Sequence, residues 1–250
     1  VDDARAVRDP FDGLTRIGID EISFRRGHKY LMVVVDHDTG RLVWAAEGHD
    51  RKTLQTFFDL LGPERCAKIR LVSADAAEWI AACALDACKH ATLCLDPFHI
   101  VRWATQALDV VRRWVWNVLR KIGVHGQAAQ LKGCRYALWK NPEDLTDRQK
   151  AKLAWIARHN HSLYRAYLLK EQLRLVFQHR GDTAVAMLDA WLGWARRSRI
   201  PAFVELYHRI KRHRAGIIAS VTHGLSNGLT ESVNTKLRLL TRIAYGFRST

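Results

Sequence analysis

The sequence predicts an α/β fold, a mixed five-stranded sheet interrupted by a long helical segment. Three observations predict it. Apolar runs in the first hundred residues are short, rich in β-branched residues and separated by turn residues. Beyond residue 50 the apolar spacing alternates between helical and strand-like periods. After residue 100 no convincing strand remains, while helical spacing recurs to the end of the chain.

Each element has its own signal. Arg16-Ile17-Gly18-Ile19-Asp20 is a short apolar strand that Asp20 closes. Gly27 sits in a polar turn, and Tyr30–Val35 is a continuous β-branched run of the kind buried on both faces. Asp36–Gly40 is a turn and Arg41–Ala46 a third strand, so the short connections make an antiparallel meander. Asp50 is placed to cap a helix over Arg51–Leu61, where Leu54, Phe57, Phe58 and Leu61 share one face. Ile69–Ser73 and Ala91–Leu95 are the fourth and fifth strands, with a helix over Ala76–Cys88 between them and another starting near Pro97. Three antiparallel strands followed by β-α-β units give a mixed sheet.

Helices follow at Val101–Ile122, from a capping box at Thr146-Asp147-Arg148-Gln149 through Arg158, and at Ser162–Gln178, Thr183–Arg197 and Ala202–Arg214. The last runs from about Leu229 to Ile243. Three segments result: residues 1–100 as the first part of the sheet core, 101–225 as an all-helical basic insertion, and 226–250 as a helix returning to the core.

Charge follows the same division. The 250 residues carry 40 Lys+Arg against 25 Asp+Glu, +15 formally. Residues 1–100 hold 13 against 16, a net of −3; residues 101–250 hold 27 against 9, a net of +18. An acidic part beside a strongly basic part suits a cation site next to a polyanion surface. Hydrophobic content of 48% excludes intrinsic disorder. No apolar run reaches membrane-span length, and the first residues lack a signal peptide's pattern. Five cysteines without a C-x-x-C pair fit reduced cytosolic thiols.

Three carboxylates stand where chemistry gathers in α/β sheets. Asp20 closes the first strand, Asp75 the fourth, and Glu231 opens the last helix. If the first and fourth strands pair, Asp20 and Asp75 meet, and a hard divalent cation relieves their repulsion. Each also has a local reading: Asp75 as a helix cap, Glu231 as a dipole-favoured first-turn residue, Asp20 as a polar strand end. Glu21 points away from the Asp20 face by strand alternation, and Asp36 and Asp38 are turn residues. Asp96-Pro97-Phe98-His99 combines an N-cap with proline at the first helical position, at the end of strand five. His159-Asn160-His161 reads as a loop at a helix end. No P-loop, GxSxG or Rossmann fingerprint occurs.

Taken together, Ile19-Asp20-Glu21, the Gly27–Tyr30 turn with its Val-rich strand, Leu95–His99, Asn227–Asn234 and Tyr245–Arg248 resemble the DDE transposases of bacterial insertion sequences of the ISL-three type. The resemblance covers nearly the whole chain, and Asn227–Asn234 is its most specific part. It implies an RNase H-like fold with a Mg²⁺-dependent Asp, Asp, Glu triad, Mn²⁺ being a possible substitute. Carried over by position, the triad is Asp20, Asp75 and Glu231, which are also the metal ligands. Asp96 competes with Asp75 for the second place. In the related Mutator-like transposases an Asp/Cys-x-x-His pair follows the second Asp, so Asp96 and His99 are given a supporting role. Those relatives also carry a helical insertion before the final Glu, which accounts for the 156 residues from Asp75 to Glu231.

The implied reaction is metal-dependent strand cleavage at transposon ends, then attack of the freed 3′-hydroxyl on target DNA. The implied partner is double-stranded DNA, both transposon ends and target, bound by a homo-oligomer in the bacterial cytoplasm at the nucleoid. Arg102, Arg196, Arg197, Arg209, Lys211, Arg212, Arg214, Lys236, Arg238 and Arg242 are the candidate phosphate contacts, and Trp103 the candidate aromatic contact. Two alternatives remain open: a non-catalytic DNA-binding remnant, and an RNase H-like nuclease or resolvase without strand transfer. Full-length members carry an N-terminal zinc-binding and helix-turn-helix region. This sequence is therefore expected to be an excised catalytic domain, or an incomplete or degenerate reading frame.

Overall fold

The computed structural model describes residues 9–25 and 29–225. The described residues divide into two compact units, one from residue 9 to 96 with 223–225, the other residues 97–222.

The first unit is built on a five-stranded sheet. Its strands are β1 (Arg16–Arg25), β2 (Lys29–Asp36), β3 (Leu42–Glu47), β4 (Leu71–Ala74) and β5 (Thr92–Leu95), in the order β3-β2-β1-β4-β5. β1, β2 and β3 pair antiparallel, while β4 and β5 run parallel to β1. This is the expected α/β, RNase H-like sheet. Helix α1 (Arg51–Leu61), the short α2 (Pro63–Cys66) and α3 (Glu78–Ala87) supply its helical part.

Alternation along the strands separates two faces. Ile17, Ile19, Met32, Val34, Val72 and Ala74 form one buried row and pack with Leu54, Phe57, Phe58 and Leu61 of α1 and Ile80, Cys83 and Ala84 of α3. Gly18, Val33, Val35, Ser73 and Cys94 form the opposite row. Met32 to Val35 are all fully buried, as a continuous apolar run requires. Phe57 anchors the helical side, with its ring 5.5 Å from Trp44, 5.1 Å from Phe58 and 6.0 Å from Phe11. The Asp50 carboxylate accepts the Thr53 N–H at 2.8 Å and so caps α1 where expected.

Two local expectations change. β1 does not close at Asp20; it continues to Arg25 because β2 keeps pairing with it after β4 has ended at Ala74. Asp75 is not the cap of α3. The cap position is Ala77, whose N–H donates to the Asp75 carboxylate at 2.9 Å.

The second unit is helical throughout its described residues: α4 (Pro97–Lys121), α5 (His125–Leu131), α6 (Arg135–Trp139), α7 (Asp147–His159), α8 (His161–Val176), α9 (Gly181–Arg197), α10 (Pro201–Arg212) and α11 (Arg214–His223). α8 is its buried axis. Trp191 of α9 donates its indole N–H to the Leu169 carbonyl at 2.8 Å. Lys170, fully buried, pairs with Glu171, which Arg174 holds at 2.8 Å. Burial holds the Lys170 ammonium below its ordinary pKa, against the pull of Glu171. Both halves of the Thr146–Gln149 capping box form. Asn160 caps α8 through the Leu163 N–H, which makes His159-Asn160-His161 a helix junction.

The sequence reading missed α5, α6 and α11, and carried the helix that begins near Ala202 two residues past its end, to Arg214. The α10 segment stops at Arg212, and α11 starts anew at Arg214. The expected helix Leu229–Ile243 lies outside the described residues.

Phe57→Ala should destabilise the first unit by about 3–5 kcal/mol, since a fully buried aromatic leaves a cavity. Asp50→Ala should cost about 1 kcal/mol through the lost cap. Urea unfolding of both variants, followed by circular dichroism, checks the ranking.

Candidate functional site

Strand register assembles the acidic residues. β1 and β4 pair Arg16 with Leu71, Ile17 with Val72 and Gly18 with Ser73. Carried two residues further, the same offset sets Asp20 level with Asp75. β4 and β5 pair Ser73 with Cys94 and Ala74 with Leu95, and the Asp96 N–H donates to the Ala74 carbonyl at 2.9 Å. Asp96 therefore stands at the level of Asp75 on the next strand. Neighbouring strands lie about 4.8 Å apart, so the register continued past the strand ends sets the backbones of Asp20, Asp75 and Asp96 at one level across β1, β4 and β5.

The residues differ in setting. Asp20 is half-buried, and its carboxylate accepts the Glu21 N–H at 2.8 Å. It belongs to the row of Gly18, opposite the α1 side, and Glu21 turns the other way. Asp75 is half-buried in the turn after β4, and Asp96 is buried just before α4. His99 lies in the first turn of α4, in the second unit. Glu231 lies outside the described residues, as do Lys236, Arg238, Arg242 and the Asn227–Asn234 and Tyr245–Arg248 blocks. Among the described residues no three His, Cys, Asp or Glu side chains close around a single point. The donors that share one level, Asp20 and Asp75 with Asp96 beside them, are all carboxylate oxygens. That set suits a hard divalent cation and does not suit a soft metal.

Beneath this line, His37 and Ser73 are both buried, with His37 Nε2 and Ser73 Oγ 2.6 Å apart. Ser73 shares its strand row with the approach to Asp75. Burial, reinforced by nearby Arg16, holds the His37 imidazole below its ordinary pKa. His37 was not legible as a site-supporting residue, since its partner is 36 positions away.

The helical unit carries the basic residues. Leu192, Gly193, Arg196 and Arg197 of α9, Tyr207 and Lys211 of α10, and Arg214 line a surface depression of about 380 Å³. Arg196, Arg197 and Lys211 are exposed and carry no ion pair among the described residues. Arg214 is partly neutralised, because Asp189 accepts from it at 2.9 and 2.7 Å and raises its pKa. Arg102 and Arg212 are exposed on α4 and α10.

One expectation changes here. Trp103 is only 8% exposed, and the Arg209 guanidinium lies 3.5 Å from its ring centre. α10 packs against α4 and covers this ring, so Trp103 is a core residue and Arg209 its lid.

Residues 17–250 match the ISL3-type family described as transposase. The chain is 60% identical over 260 residues to the transposase of insertion sequence element IS1557 from two strains of Mycobacterium tuberculosis, covering 96% of this chain and 59% of those proteins. It is 30% identical over 249 residues to the transposase of insertion sequence element IS1001 from Bordetella parapertussis, covering 97% of this chain and 60% of that protein. The chain thus spans about three-fifths of the length of these relatives.

The His37 environment has a pH signature. Its folded pKa lies below the ordinary value of 6.5, so on acidification the unfolded chain takes up the proton first. Stability should fall as pH drops through about 6.5 towards the folded pKa, and the loss should level off below it. His37→Gln should remove that component. Thermal melts of wild type and variant between about pH 7 and pH 5 measure the difference.

Proposed function

As the chain belongs to the ISL3-type family of DDE transposases, we propose that it carries the catalytic region for cutting and joining DNA at the ends of a mobile element. Asp20, Asp75 and Glu231 form the proposed triad, with Asp96 and His99 in support. The observation that supports this reading is the parallel β1–β4 register, which, continued two residues past its Gly18–Ser73 pair, sets Asp20 level with Asp75. Residues 1–100 and 226–250 are proposed as the catalytic core and residues 101–225 as its insertion.

The triad carboxylates would hold Mg²⁺, with Mn²⁺ as a substitute. When bound, the metal supplies Lewis-acid stabilisation of charge on phosphoryl oxygens and lowers the pKa of a water nucleophile. The residues themselves do the positioning. Asp20 lies in the middle of β1, where β2 still pairs with it at Val33 and β4 pairing has ended two residues earlier, so the strand backbone holds this ligand in place. Asp75 is fixed by the Ala77 N–H in a short turn. No serine or tyrosine nucleophile is needed, because the attacking groups are water and then a DNA 3′-hydroxyl.

The basic depression between α9 and α10 would hold the DNA backbone. Arg196, Arg197 and Lys211 offer exposed cations that neutralise phosphates without reading sequence. Arg102 and Arg212 extend this set, and Arg214, engaged by Asp189, contributes less. Lys236, Arg238 and Arg242, on the segment that bears Glu231, belong to the same proposal. A homo-oligomer on double-stranded DNA is the proposed working form.

Nicking of supercoiled DNA in Mg²⁺ or Mn²⁺ tests the chemistry. Losing several kcal/mol of charge stabilisation corresponds to roughly a hundredfold or more in rate, so Asp20→Asn and Asp75→Asn should lose at least that. Asp96→Asn should retain measurable activity. Wild type nicking no better than Asp20→Asn would favour a non-catalytic DNA-binding remnant. Nicking without joining of a pre-cut 3′-hydroxyl substrate would favour a nuclease or resolvase. Full activity in Asp75→Asn would move the second place in the triad to Asp96.

Salt tests the basic surface. Each phosphate contact removed should lower the slope of log affinity against log salt by about 1. Arg196→Ala, Arg197→Ala and Lys211→Ala combined should therefore flatten it by about 3. An unchanged slope in filter binding or anisotropy titrations would exclude this depression as the contact.

A further inference from the structure

Of the nine tryptophans only Trp114 is mostly in solvent, at 59% exposure. Cations cover other rings of the helical unit: Arg209 lies 3.5 Å from the ring centre of Trp103, Arg135 3.7 Å from that of Trp139, and Arg120 4.7 Å from that of Trp116. Among the described residues nothing stacks on Trp114. Val110, one turn earlier on the same face of α4, is also exposed. Leaving two large apolar side chains side by side in water opposes the burial that drives folding, and such patches mark binding sites.

Trp114 and Val110 form one wall of a cavity of about 260 Å³. Val111 lies beneath, and Ser162, Arg199, Ile200, Pro201 and Ala202 close the other side. The volume equals roughly nine liquid waters, room for one planar ring system and far too small for a duplex. No carboxylate lines it, and Arg199 is its single charged side chain.

Arg199 is held there by its backbone. Its φ of 57° makes it the one non-glycine residue with a positive φ among the described residues. Both neighbours pin it. The buried Ser198 accepts from Arg165 Nη2 at its carbonyl (3.0 Å) and from the Ile200 N–H at its hydroxyl (3.2 Å). The Ile200 carbonyl then accepts the Phe203 and Val204 N–H groups, which start α10. Glycine or asparagine would adopt this conformation at lower cost. Strain kept at an arginine, beside an uncovered indole, points to a use for its side chain.

We propose that this cavity binds one unpaired nucleotide of the DNA substrate, its base stacked on Trp114 and its phosphate on Arg199. The indole face accepts any base, and a guanidinium both pairs with phosphate and stacks on rings. The absence of lining carboxylates makes the site complementary to a polyanion and not to a basic peptide. The same α9–α10 hairpin carries the basic depression, so paired and unpaired parts of one strand would meet one structural element. This inference rests on the DNA reading above and adds a site to it.

The test uses the full chain and two fluorescent probes, a short blunt duplex and the same duplex with a few unpaired thymidines at one 3′ end. Wild type should bind the tailed duplex about tenfold or more tightly than the blunt one. Trp114→Ala and Arg199→Gly should lose that preference while binding the blunt duplex normally, and Trp114→Phe should keep most of it. Arg199→Gly also relieves the backbone, so its loss of preference cannot be assigned to misfolding. A Trp114→Ala variant with undiminished tail preference overturns the inference and leaves the DNA reading standing. Wild type that binds neither probe overturns both. A concentration-dependent dimer that Trp114→Ala dissolves, with tail affinity unchanged, would assign the cavity to a second copy of the chain and overturn the nucleotide assignment.

Discussion

The pairing of β1 with β4 is the constraint on which the candidate site depends. Parallel strands share one direction, so a constant offset in register holds residues far apart in the chain at one level. Asp20 and Asp75 are 55 positions apart, and the register of three residue pairs is enough to align them. β5 repeats the device and brings Asp96 to the same level. A slip of one residue would turn Asp20 to the α1 face and put Ile19 or Glu21 in its place, depending on its direction. The Ile17, Ile19, Val72 and Ala74 row, buried against α1 and α3, opposes that slip. The apolar core therefore positions the carboxylates without touching them.

Two different physical demands are kept in two units. Residues 1–100, with a net charge of −3, set negative side chains at neighbouring strand ends, which are tolerable only with a cation nearby or with strong hydrogen bonds. The helical unit gathers exposed arginine and lysine, favourable beside phosphate and otherwise costly by mutual repulsion. Mixing the two sets would neutralise both. Where an arginine of the basic depression is paired, as Arg214 is with Asp189, it has less charge to offer a ligand. The five cysteines stand outside this division. All are buried and free, and burial pushes the Cys88 thiol up to about 12 and the Cys94 thiol to about 11. Such thiols act as small core residues and not as nucleophiles.

Much of the architecture was legible from local pattern. The α1 helix begins and ends where Asp50 and the Leu54, Phe57, Phe58 and Leu61 stripe place it, because a cap and a 3.6-residue period are both local facts. The Thr146 capping box is the same kind of signal. The two short helices α5 and α6 were not legible, since neither is long enough to show a period. The length of β1 was misjudged because its far half is held only by β2. Trp103 was misjudged because its lid, Arg209, lies 106 positions further along the chain.

By itself the sequence determined the element types, the acidic and basic division, the family and the identity of the candidate carboxylates. These follow from periodicity, composition and short motifs, which are properties of neighbours in the chain. The tertiary structure decided which residues share a level and which faces stay open. It set the β1–β4 register that leads to Asp20 and Asp75, covered Trp103, left Trp114 in solvent and held Arg199 in a left-handed backbone. Each depends on strand register or on helices packing across long sequence separations. Those arrangements are settled by the burial of the whole core, and no local stretch of chain encodes them.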